Sequence, residues 1–317
     1  MIVALAGGVG GAKMAHGLAM ASDPAALTVI VNTADDFDHL GLRICPDIDT
    51  VLYTLGGIAN PATGWGIAGD TRIVLDTLRD LGGDDWFMIG DRDFATHILR
   101  TQALSQGSTL AEITARLATA LGIVPTILPM SNQPVATIIE TPDGPLDFQA
   151  YFVGRQQRDE VVGVRFQGAE GAVAQPDAIA AIRTAETVVI NPSNPIVSIG
   201  PILAVDGYRQ ALESTAAVRV AVSPIVGGKA LKGPADRMLA SLGHESSALG
   251  VARIYDGLID GLVIDTADAA LADAIQDLGI ATLITNSVMQ ANDDRARLGG
   301  EVLDFAANLR SNGVGRR

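Results

Sequence analysis

Five aspartates fall within fifteen positions of the stretch "VNTADDFDHLGLRICPDIDT": Asp35, Asp36, Asp38, Asp47 and Asp49, with Arg43 as its one arginine. Carboxylates at this density repel one another, and either solvent or a bound cation must relieve them. Hard cations such as Mg²⁺ take one or two carboxylates together with the phosphate oxygens of a substrate. Asp35 and Asp49, at adjacent loop ends, suit that role. Asp47 follows Pro46 where a helical pattern begins and reads as its N-cap. Asp38 and His39 read as surface residues.

A second chemical feature is "AGGVGGAK", with four glycines in five positions and Lys13 close behind. The spacing fits neither standard nucleotide loop. Counting a P-loop from Gly7 puts Ala12 where its second glycine belongs, and a dinucleotide fingerprint from Gly8 ends on Lys13. That failure also weakens an NAD-dependent dehydrogenase reading. Glycines between a strand and a helix let backbone N–H groups approach an anion, so Gly8, Gly10, Gly11 and Lys13 are candidate phosphate contacts. A ligand-free tight turn is the alternative.

Weaker candidates follow. Ser193 and Asn194 of "NPSNP" sit either in two turns or in a rigid loop facing a ligand. Gly228, Lys229 and Lys232 of "GGKALKG" suit phosphates, although exposed lysines are usually only solvated. Trp65, among glycines, is a platform for a flat ring or a loop anchor. Asp91 of "IGDRD" reads as a helix cap or a ligand contact. His16, His97 and His244 lack metal-ligand spacing and read as structural.

These segments need a scaffold that gathers them. Short Val- and Ile-rich runs alternate with helical patterns, which predicts an α/β fold: a Rossmann-like, mainly parallel sheet flanked by helices. Strands are expected at "MIVALAG", "ALTVIVN", "WFMIGD", "TVVIN", "VRVAV", "GLVID" and "ATLIT". Residues 124–168 change character, with alternation and a Pro142–Asp143–Gly144 turn signal, and read as a β-rich insertion. The Rossmann-like core is then 1–123 and 169–317. "SNGVGRR" at the end is expected to fray. Ligands of open α/β sheets bind beyond the carboxyl ends of the strands, which is where the polar loops fall.

Composition narrows the class. At 317 residues and 48% hydrophobic the chain can bury a large core, and a net charge of −14 disfavours nucleic acid as a partner. The single cysteine, Cys45, excludes an intrachain disulfide and fits a reducing compartment. "MIVALAGG" lacks the features of a signal peptide or membrane span. The expectation is a cytoplasmic protein without membrane contact.

Taken together, "GGVGGAKM", "VNTADD", "GLRICPDIDTVLYTLGG", "GDRDFATHILR", "NPSNPIVSIGPIL" and "SPIVGGKALKG" resemble the 2-phospho-L-lactate transferase family of coenzyme F-420 biosynthesis. The resemblance implies a Mg²⁺-dependent phosphotransferase, expected as a homodimer. A guanosine-diphosphate-linked three-carbon acid (phospholactate, phosphoenolpyruvate or 3-phosphoglycerate type) gives its phospho-acid to the terminal ribityl hydroxyl of the deazaflavin Fo. GMP leaves, and coenzyme F-420-0 or its dehydro form results. It further implies Asp49 at the reacting centre, touching Fo or the metal, and Asp35 as a metal ligand. The glycine loop, "NPSNP" and "SPIVGGK" would hold the nucleotide, with Trp65, Met88 and Asp91 toward Fo. Met88 stands where archaeal members tend to carry a basic residue, which bears on the choice of acid. A nucleotide-sugar-binding regulator of the gluconeogenesis-factor-like type is the alternative, and "CPDIDT" with "GDRD" favours the transferase.

Overall fold

The computed structural model describes residues 1–314, so the last three residues of the tail expected to fray lie outside it. Seven parallel strands form the central sheet: β1 (Ile2–Ala6), β2 (Leu27–Val31), β3 (Thr126–Pro129), β4 (Thr187–Ile190), β5 (Val218–Val222), β6 (Gly261–Asp265) and β7 (Ala281–Thr285). Their spatial order is β3-β2-β1-β4-β5-β6-β7, with helices on both faces. Every residue of β2, β4 and β6 is buried, as continuous apolar runs in a doubly covered parallel sheet require.

The third expected strand is absent. "WFMIGD" stays irregular, and the third sheet position belongs to β3, paired with β2. β3, at the sheet edge, buries Ile127, Leu128 and Pro129, whereas Trp86 and Met88 are 40% and 37% exposed. Trp86 and Phe87 instead pack with Phe37 and His39 in one aromatic cluster. His39, expected at the surface, is therefore buried, while Asp38 is exposed.

β3 falls inside the 124–168 range set aside as an insertion. What leaves the sheet is a smaller three-stranded antiparallel unit, Ala136–Thr141, Gly144–Asp147 and Gly163–Gln167. Its first hairpin turns at Pro142–Asp143, as expected, with Gly144 at φ +118.

α1 (Gly8–Ala21) follows β1 after Gly7 alone, so the expected glycine loop forms the helix's first turn, and it is shaped by contact with the chain itself. A Cβ on Gly10 would lie 2.3 Å from the Pro192 carbonyl oxygen, and one on Gly11 would lie 2.5 Å from Ser193 Oγ. Only Gly8, at φ +64, is needed for its backbone angle. The loops after β1 and β4 are thus pressed together.

Gly10→Ala should therefore destabilise the protein by roughly 1–3 kcal/mol, as overpacking of a rigid contact does. Gly300 lies in the C-terminal helix (Asn292–Ser311), with open space around its missing Cβ. Gly300→Ala should stabilise by up to about 1 kcal/mol. Urea denaturation of both variants checks the pair.

Candidate active site

The strand order reverses between β1 and β4, and the crevice above that point is the usual ligand site of an open α/β sheet. The loops flanking it are stitched together. Gly7 N donates to Ser193 Oγ at 3.0 Å, Ser193 Oγ donates to the Gly7 carbonyl at 2.8 Å, and Asn191 Nδ2 donates to the Gly11 carbonyl at 2.8 Å. Asn194 Oδ1 accepts from Ile196 N at 2.9 Å. Ser193 and Asn194, read as nucleotide contacts or turn residues, hold the crevice in shape while lining it.

A cavity of about 830 Å³ opens here. Of the expected site residues it is lined by Gly8, Gly10, Lys13, Asp35, Asp49, Trp65, Met88, Ser193, Asn194 and Lys232. Gly11 lies behind Ser193. Gly228 and Lys229 belong to a two-stranded hairpin and do not reach the cavity wall. Asp91 is also off the wall. Its carboxylate accepts from Ile73 N at 3.0 Å and Val74 N at 2.9 Å, closing the amino end of the helix Ile73–Asp80.

Two lysines enter the cavity. Lys13 Nζ donates to the Met289 carbonyl at 2.8 Å, and Lys232 Nζ donates to the Thr63 carbonyl at 2.6 Å. Burial, then the charges of Arg295 and Lys232, hold the Lys13 ammonium below its ordinary pKa. An anion there would be welcome. The α1 amino terminus, with its Gly8–Gly10 backbone on the wall, adds its dipole.

The aspartates sit on the same wall. α2 (Pro46–Leu55) begins after Cys45, so Asp47 is inside its first turn and is not its N-cap. Asp47 braces neighbouring segments instead: Oδ1 accepts from Gly8 N at 2.8 Å and Oδ2 from Asn32 Nδ2 at 2.9 Å. Burial pushes the Asp47 carboxyl up to about 6 despite these two hydrogen bonds. Asp35 is raised well above the carboxylate range by burial, then by Asp47 and Asp36, and its Oδ1 is sealed from solvent without a hydrogen-bond partner. Asp36 is raised to about 7, mainly by burial, and faces a second cavity with Arg43.

Asp49 is held from below. Both its oxygens accept from the guanidinium of Arg100, a wholly buried residue of α3 (Asp91–Ser105), and Oδ2 lies 3.6 Å from His97 Nδ1. The other His97 nitrogen, Nε2, lies 3.4 Å from Asp93 Oδ1 without a hydrogen bond, and that oxygen accepts from Tyr53 Oη at 2.5 Å. Asp93, His97 and Tyr53 all line the cavity. Asp49, Asp93 and His97 each bring one ligand-type atom within 4.8 Å of the others. The sequence reading has His97 as structural and Asp91 as a cap or ligand contact, whereas the α3 residues on the cavity wall are Asp93 and His97. Aromatic side chains complete the wall: Trp65, Trp86, Phe87, Phe148 and Phe152, the last two stacked at 5.3 Å.

The family model for the 2-phospho-L-lactate transferase CofD matches residues 2–296. The chain belongs to that family. It is 43% identical to a phosphoenolpyruvate transferase of Streptomyces griseus, over 98% of this chain and 99% of the relative. It is 42% identical to a 2-phospho-L-lactate transferase of Halobacterium salinarum, over 86% and 90%, and 40% identical to one of Methanothermobacter thermautotrophicus, over 96% and 98%. The solved structure of a UPF0052-family protein from Bacillus halodurans shares the fold at TM-score 0.65 and 18% identity, over 95% of this chain and 98% of that one. Among the described residues no helix is long and apolar enough to cross a membrane.

In this CofD-family chain Asp47→Asn must point an amide NH₂ at either Gly8 N–H or the Asn32 amide, setting donor against donor. We expect a loss of about 1–3 kcal/mol of stability, larger than a helix-cap exchange would cost. Thermal and urea melts of the variant measure it.

Proposed function

We propose that the protein transfers a three-carbon phospho-acid from a guanosine-diphosphate-linked donor to the terminal ribityl hydroxyl of Fo, releasing GMP. One observation carries the reading beyond the family. A single cavity offers the α1 amino terminus with Lys13 and Lys232, which suit a diphosphate, and a wall of aromatic rings, which suits a flat deazaflavin. Identity to phosphoenolpyruvate and 2-phospho-L-lactate transferases is nearly equal, 43% and 42%, so it does not select the acid. Met88 at the cavity wall is a thioether that cannot pair with a carboxylate, which bears on the choice of acid.

The aspartates fit Mg²⁺. Asp35 Oδ1 is buried and unpartnered, which is costly for a carboxylate unless a proton or a cation meets it. Asp49 retains lone pairs beyond those taken by Arg100. Asp35 and Asp49 would hold the ion against the diphosphate, where it would neutralise charge on the phosphoryl oxygens. The protein's own part is orientation: Arg100 fixes Asp49, and Asp47 fixes Gly8 at the α1 terminus. Phosphoryl-type transfer depends on such positioning more than on covalent catalysis.

Incubation with Fo, Mg²⁺ and each of the three nucleotide donors should yield GMP only when Fo is present, with mass spectrometry identifying the adduct. No Fo-dependent GMP from any donor would overturn the assignment.

Asp35→Asn should lose turnover by at least ~10²-fold and also lose the rise in melting temperature that Mg²⁺ gives the wild type. Without metal the variant should be at least as stable as the wild type, because an uncharged isostere replaces a carboxyl whose ionisation burial, Asp47 and Asp36 already oppose. Differential scanning calorimetry with and without Mg²⁺ tests this separately from activity. An unchanged Mg²⁺ response would remove Asp35 from the ion's shell.

A further inference from the structure

Attack by a hydroxyl requires somewhere for its proton to go, and four carboxylates line the cavity: Asp35, Asp47, Asp49 and Asp93. Three are committed. Asp47 accepts from Gly8 N and Asn32 with its two oxygens. Asp49 has both oxygens on Arg100, and in the reading above its remaining lone pairs go to the cation. The free Oδ1 of Asp35 is sealed from solvent beside Asp47, a setting for a cation rather than for a mobile hydroxyl. Asp93 differs. Its Oδ1 is fixed by the Tyr53 hydroxyl at 2.5 Å and faces His97 Nε2 at 3.4 Å, while Oδ2 has no hydrogen-bond partner among the described residues and is not sealed from solvent. The backbone beneath it is also anchored, since Asp93 N donates to Asp70 Oδ2 at 3.1 Å at the start of α3.

We infer that Asp93 is the catalytic residue that takes the proton of the attacking hydroxyl, with Tyr53 and His97 as its positioning residues. This rests on the transferase reading above. The acceptor's hydroxyl oxygen forms its bond to the phosphorus bearing the acid. The bond from that phosphorus to the bridging oxygen breaks, the electron pair leaves with GMP, and the hydroxyl proton passes to Asp93 Oδ2. A carboxylate gripped on one oxygen and open on the other presents a defined acceptor without having to reorient. Its neighbours add precision. Tyr53 is buried, and its hydroxyl donates to Asp93.

The test compares kcat, the KM of the nucleotide donor and GDP affinity in the wild type and Asp93→Asn. Two acceptors are used, Fo and an analogue whose terminal hydroxyl is made more acidic by neighbouring fluorine. With Fo, kcat should fall by at least ~10²-fold while donor KM and GDP affinity hold. With the fluorinated acceptor the deficit should shrink, since a more acidic hydroxyl needs less help. Equal deficits with both acceptors would make Asp93 merely structural, and an undiminished kcat would exclude it outright. Asp93→Ala with added formate is the second variant, and carries the test if Asp93→Asn does not fold. Recovery of rate by the small carboxylate supports the role, and no recovery contradicts it. A wild type that releases no GMP with either acceptor would instead overturn the transferase reading, and this inference with it.

Discussion

The architecture of the site turns on a repulsion that the protein tolerates. Asp35, Asp36 and Asp47 are brought into the interior at the carboxyl end of β2 and the start of α2, and burial raises all three above ordinary carboxylates. A fold selected only for stability would replace such groups with apolar residues. The chain instead builds around them. Asn32 and Gly8 N–H hold Asp47, Arg100 holds Asp49, and Arg43 stands 3.9 Å from Asp36. Asp35 lines the cavity, and one of its oxygens is buried without a hydrogen-bond partner.

The same constraint explains why the glycine loop departs from standard nucleotide fingerprints. Its glycines are set largely by the protein's own neighbours: Asp47 and Ser198 crowd Gly7, Pro192 crowds Gly10 and Ser193 crowds Gly11. Close packing at the point where the strand order reverses locks the α1 terminus to the loop after β4 and to the aspartate-bearing helix. Binding groups from three distant segments are thereby fixed relative to one another before any ligand arrives, which lowers the ordering cost of binding.

The sheet was largely legible because buried parallel strands leave apolar runs that few other structures require. Six of its seven strands fell where those runs lie; the seventh is Thr126–Pro129, and the run that forms no strand, "WFMIGD", is instructive. Its apolar content serves an exposed aromatic cluster and the cavity wall, and hydrophobic pattern alone does not distinguish burial in a sheet from the lining of a pocket. Asp35, Asp49, Lys13 and Trp65 reach the cavity as their neighbouring motifs suggested. Asp47 was misjudged because a residue after Pro46 looks like a cap, whereas its true partners, Gly8 and Asn32, are distant or on another element. The Asp93–His97–Arg100 array did leave a trace, since positions i, i+4 and i+7 share one helix face. The trace lacked meaning until α2 brought Tyr53 and Asp49 against that face.

The central claim is that the buried aspartates are gathered around a divalent cation that meets a diphosphate. Diffraction from crystals grown with Mn²⁺ and GDP, with the metal located by its anomalous signal, addresses it most directly. The account predicts one strong peak at coordination distance from Asp35 Oδ1 and from a diphosphate oxygen, with Asp49 beside it and the diphosphate at the α1 amino terminus. A peak seated only among Asp49, Asp93 and His97, or GDP bound in the crevice with no metal at Asp35, would contradict it.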